Sequence, residues 1–129
     1  MRKLLPLAAL AALVAGCGQQ VKPFTAEATA KCLSDKGFTT STRDEDVGFV
    51  ASAAPQGGLR AQTNGNTLVI AFGDTQRDVP GLERGFRRFA PKRIKSLEGI
   101  MQAKRNAVLL WTVSPTQEQL DTALGCLKS

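Results

Sequence analysis

The chain contains no histidine, no tyrosine, one tryptophan and only three cysteines among its 129 residues. Each scarcity closes a class of chemistry. Without histidine there is no Ser–His–Asp or Cys–His catalytic arrangement, and the commonest metal ligand and neutral-pH proton carrier is missing. No apolar run approaches the ~20 residues of a membrane-spanning helix; the longest, Leu4–Val14, has eleven. Acidic character is outweighed as well, with 17 Lys+Arg against 11 Asp+Glu, a formal charge of +6. What remains is globular in kind. At 43% hydrophobic and 22% charged, the composition supports folding rather than disorder, and the length supports one domain.

The amino-terminal stretch "MRKLLPLAALAALVAGC" has three parts: basic Arg2 and Lys3, the apolar run, then small Ala15 and Gly16 before Cys17. That is the layout of a signal segment. The sequence Val14-Ala15-Gly16-Cys17 resembles the lipobox of bacterial lipoproteins. The resemblance implies cleavage before Cys17, a diacylglycerol on its thiol and often further acylation, as with palmitate, at the new amino terminus. Small residues let an extended backbone enter a protease groove, and two or three chains hold a membrane far better than one. The expected organisation is therefore a signal peptide at 1–16, a lipidated tether at 17–23 and a single domain at 24–129. The expected location is the periplasmic or extracellular side of a bacterial membrane. An ordinary secretory signal with a chance cysteine at its end is the competing reading, and an uncleaved anchor is a third.

With Cys17 assigned to lipid, Cys32 and Cys126 remain as a pair in an oxidising compartment. A disulfide between them would close a loop of ~95 residues, worth about 4–5 kcal/mol in the chain-entropy model. A reactive or metal-binding pair is the alternative, but neither CxxC spacing nor histidine accompanies it. No metal and no cofactor is expected.

Along the domain, Thr25 is placed to cap a helix over "AEATAKCLSDK", ended by Gly37 with Phe38 packing back on Leu33. "TTSTRDED" reads as a loop or weak edge strand, its acids as solvated surface. "VGFVASAA" reads as strand. "LRAQT" and "TLVIAF" form a hairpin around Asn64-Gly65-Asn66. A second helix starts at Asp74 or Thr75, with Pro80 and Gly81 in its first turn and Val79, Leu82, Phe86 and Phe89 as its apolar stripe. "LEGIMQA" and "AVLLWTV" form a second hairpin around "KRN". Ser114 then caps a last helix that turns Leu120, Ala123, Leu124 and Leu127 inward. The expected fold is α+β: a four-stranded antiparallel sheet from two hairpins, helices mainly on one face, in the order α-ββ-α-ββ-α. On that arrangement Val69 and Ala71 point opposite to Leu68, Ile70 and Phe72, Val108 and Leu110 point opposite to Leu109 and Trp111, and one of these apolar sets meets solvent, a partner or some covering segment.

Basic residues concentrate between 74 and 105, where nine Arg/Lys face four acids. Arg84, Arg87, Arg88, Lys92, Arg93 and Lys95 form the candidate patch. For an exported chain such a patch fits anionic headgroups or cell-wall polymers rather than nucleic acid; a merely solvated helix face is the plain alternative. Catalysis has little to stand on. Asp44–Asp46 offers paired carboxylates only on an expected loop, and Ser96 beside Lys95 is a sequence neighbour rather than a motif. Trp111, in the most apolar strand, reads as core. Three functions follow: a non-catalytic binding domain using the basic patch or an open sheet face, a structural subunit docking another envelope protein, and a Ser/Lys hydrolase. No catalytic residue is assigned.

Overall fold

The computed structural model describes residues 22–90 and 96–129. The signal peptide and lipidation readings at 1–17 lie outside the described residues. So do most of the tether and Lys92, Arg93 and Lys95 of the basic patch.

Helix α1 (Ala26–Asp35) begins where Thr25 Oγ1 accepts the Ala28 N–H at 3.3 Å. It ends in a Schellman motif. The Phe38 N–H reaches Leu33 O and the Gly37 N–H reaches Ser34 O, both at 3.0 Å, with Gly37 at φ 93°. Leu33 and Phe38, the residues flanking that turn, are both buried in the core. The chain then gives strand β1 (Thr39–Ser41) and two single-turn helices, α2 (Asp44–Val47) and α3 (Phe49–Ser52). Strands β2 (Gly58–Thr63) and β3 (Asn66–Phe72) follow. Next are a 3₁₀ turn at Gln76–Asp78 and helix α4 (Val79–Phe89). Strands β4 (Met101–Lys104) and β5 (Ala107–Trp111) and helix α5 (Gln117–Cys126) complete the domain. The sheet is open and antiparallel, in the order β1-β2-β3-β5-β4.

The α+β class and both expected hairpins are present, while three finer expectations are corrected. Among the described residues the sheet has five strands, not four, because Thr39–Ser41 pairs with Arg60–Gln62 at the sheet edge. "VGFVASAA" is helical rather than extended. Its buried residues Val47, Ala51 and Ala54 are spaced by 4 and 3, a helical period, and three acids fill the first turn of α2, where the helix dipole favours them. Gly48 at φ 85° makes the corner between the two turns. Helices also cover both faces, not mainly one. The inserted β1–α2–α3 segment supplies the cover that a four-stranded, three-helix plan lacks.

The two faces form separate cores. Leu59, Leu68, Ile70, Phe72, Leu109 and Trp111 pack beneath α1 and α5. Ala71 and Val108 pack on the other side against Val47 and Ala51 of α2 and α3 and Val79, Leu82 and Phe86 of α4. Cover on that second side is partial. Val69, Leu110 and Met101 are half-buried, and Gln62 beyond them is exposed.

The last helix starts two residues later than Ser114 suggests. Thr116 is its cap, accepting the Gln119 N–H at 3.1 Å while the Gln119 side chain accepts the Thr116 N–H at 3.1 Å. This is the reciprocal capping box, with Gln at the third helical position.

Candidate functional site: a basic helix face and an amino-terminal clamp

Helix α4 is aimed by its entry. Thr75 Oγ1 accepts the Arg77 N–H at 3.2 Å, and Asp78 Oδ2 accepts the Asp74 and Thr75 N–H groups at 2.8 and 3.2 Å. Pro80 then sits in the first turn, where its missing N–H costs nothing. Val79, Leu82 and Phe86 are buried as expected. At 100° per residue, Arg84 and Arg88 fall together on the ridge opposite that stripe, and Arg87 lies round the helix beside Glu83. All three arginines are exposed. The structure thus brings half of the sequence-derived patch onto one helix.

Phe89 departs from the expected stripe. It is 56% exposed and rests on Phe49 of α3, itself 69% exposed, with ring centroids 4.9 Å apart. The Arg88 guanidinium lies 5.7 Å from the Phe89 ring centroid, within cation–π range. Gly85 permits this approach of α3 and α4, since a Cβ there would stand 3.2 Å from Val50 Cγ1. The outer surface of this layer therefore combines guanidinium groups with two exposed aromatic rings.

The rest of the basic segment is elsewhere. Lys104 ends β4 and Arg105 opens the β4–β5 turn at φ 51°, with their charged groups 5.9 and 5.0 Å from the Phe24 ring centroid. Proximity in sequence to α4 does not make one patch. Lys22 and Arg105 line a single solvent-open cleft together with Asp74, Thr75 and Gln76.

The other singled-out residues have ordinary roles. Cys32 and Cys126 are bonded as a disulfide with Cα atoms 5.3 Å apart, stapling α1 to α5. Asp44, Glu45 and Asp46 open α2, with Arg43 paired to Glu45 and Asp46 accepting the Ser41 hydroxyl. Ser96 Oγ accepts the Glu98 N–H at 3.1 Å, closing a local turn. Trp111 is buried, its Nε1–H donating to Gln102 Oε1 at 2.8 Å. Among the described residues no group of three or more His, Cys, Asp or Glu is placed to hold a metal, and no helix is long and apolar enough to cross a membrane.

Two buried asparagines escape the sequence reading, which spends both on turns. Asn106, 2% exposed, accepts the Phe24 N–H at Oδ1 (2.9 Å) and donates from Nδ2 to Phe24 O (3.0 Å) and Gly73 O (2.8 Å). One side-chain amide thus imitates a strand partner and pins the incoming chain to the β4–β5 turn. Asn66 does the same to Val113, accepting its N–H at 3.2 Å and donating to its carbonyl at 3.0 Å. No local signal separates such an asparagine from one that merely turns; the partners lie 82 and 47 residues away.

With the geometry in place, comparison with known proteins adds no relative: no family model, no curated protein and no solved structure matches this chain.

Proposed function

We propose that this chain is a bacterial envelope lipoprotein, anchored through lipid on Cys17, whose stapled α+β domain is a non-catalytic binding or accessory module. The sequence Val14-Ala15-Gly16-Cys17 after a short apolar run carries the reading. The Cys32–Cys126 disulfide supports it, because such bonds persist in oxidising compartments. The binding element is the outer face of α4, where Arg84, Arg87 and Arg88, continued in sequence by Lys92, Arg93 and Lys95, suit an anionic cell-wall polymer. A second reading, an accessory subunit docking another envelope protein, is favoured by one observation: the solvent-exposed Phe49–Phe89 pair.

The anchor is tested by growing producing cells with a labelled fatty acid. The wild-type chain is expected to carry the label and Cys17→Ser to lose it; a variant that keeps the label overturns the anchor. Reversal of Arg84, Arg87 and Arg88 to glutamate then separates the two readings. It abolishes salt-sensitive binding to isolated cell-wall polymer if the basic face is used. It leaves capture of a protein partner intact if the aromatic pair is used.

A further inference from the structure

We infer that the domain meets the bilayer through its Lys22–Lys104–Arg105 end, not through the arginines of α4, so that this end sits on anionic headgroups and α4 is left for the envelope ligand. The inference rests on the lipid anchor at Cys17 proposed above. Four residues separate Cys17 from Lys22, and the five Cα–Cα steps between them span at most about 18 Å however they run. Lys22 is therefore held close to the headgroups, and what surrounds Lys22 is held with it.

What surrounds it is basic and rigidly placed. Arg105 shares the Lys22 cleft. Phe24, two residues beyond Lys22, is locked by four contacts. Its backbone is hydrogen-bonded in both directions to the Asn106 amide, and its ring lies under Lys104 and Arg105. The Thr25 N–H reaches Lys128 O at 2.8 Å, fixing the carboxyl-terminal segment to the same corner. From Phe24 onward the chain cannot leave the domain without breaking this clamp, so the point where the tether joins the domain is fixed beside Lys104 and Arg105. Two acids share the region, Asp74 accepting from Gln56 and Asp78 from the Asp74 and Thr75 N–H groups, and the three cations outnumber them. Lys22, Lys104 and Arg105 are exposed, and the tether's reach lets them approach an anionic leaflet to within a Debye length, about 8–10 Å, where they are attracted to it.

The far ends of the molecule supply the controls. Lys36 follows the last turn of α1, eleven residues beyond Thr25, a rise of about 16 Å along a helix axis. Arg84 and Arg88 lie on the helix layer across the sheet.

The test uses the full lipidated chain in vesicles of phosphatidylcholine with about one-third phosphatidylglycerol. Amine acetylation and dicarbonyl labelling of arginine are read by mass spectrometry and compared with the chain in neutral detergent. Labelling of Lys22, Lys104 and Arg105 is expected to fall about five-fold or more, with less than about two-fold change at Lys36, Arg84 and Arg88, and salt at about 0.5 M is expected to reverse much of the difference. Protection of Arg84 and Arg88 in place of Lys104 and Arg105, or equal labelling throughout, overturns the inference. A Cys17 whose mass shows no lipid sinks the anchored reading and this one with it; a lipidated chain without the protection pattern sinks this one alone.

Discussion

The two faces of the sheet are built by opposite means. Beneath α1 and α5 the sheet presents large side chains, among them Trp111, Phe72, Leu59, Leu68, Ile70 and Leu109, all fully buried, and a disulfide ties the two covering helices together. Beneath α2, α3 and α4 it presents Gly58, Ala71 and Val108, and the cover comes in close. A Cβ at Gly58 would collide with Ala51, and one at Gly85 would press on Val50. The first face is held by volume, the second by proximity. The second also carries exposed Phe49 and Phe89 on its helix layer, outside the packed core. Apolar rings there are left open to solvent.

Deleting volume therefore injures the first face most. Trp111→Ala is expected to destabilise by about 3–5 kcal/mol in urea unfolding, a larger loss than Val108→Ala on the opposite side. Equal losses would break the contrast. Removing the staple comes next. Cys32→Ser with Cys126→Ser is expected to cost about 2–5 kcal/mol. Hydrogen exchange should then quicken in α1 and α5 more than in α3 and α4.

How far the sequence reveals each face follows the same division. The first face is legible because its signals are local or pairwise: the Thr25 cap, the Gly37–Phe38 stop, the Leu68–Ile70–Phe72 alternation and two cysteines left over once Cys17 is set aside. The second is not, because its cover is two single turns. Four-residue helices carry barely one period, so the valines and phenylalanine of "VGFVASAA" weigh toward strand, and the Val47–Ala51–Ala54 spacing emerges only once a sheet lies beneath it. For the same reason Phe89 continues the α4 stripe by count yet lies beyond the core it points along. The basic set divides for another reason. Residues 84–88 and 104–105 are near in sequence but are carried to different parts of the fold, and charge counting has no access to that. Asn66 and Asn106 are the clearest case, since their value lies wholly in residues far along the chain.

Adding volume reverses the ranking. Gly58→Ala, mild in composition, is expected to cost about 1–3 kcal/mol through overpacking against Ala51, whereas Gly125→Ala, in α5 with open space around it, is expected to be neutral or stabilising by a few tenths to about 1 kcal/mol. A tolerant Gly58 would mean that α3 floats rather than packs. The smallest effect belongs to the rim: Phe89→Ser should shift stability by roughly 0.5 kcal/mol or less. A larger fall would show that the Phe49–Phe89 pair is structural after all and remove it as a docking surface.

The Asn106 clamp has a mechanical consequence. A pull on the chain ahead of Phe24 loads the Asn106 amide first, and through it the turn into β5, a central strand. Helix α1 begins only after that point, so the force bypasses it and enters the sheet.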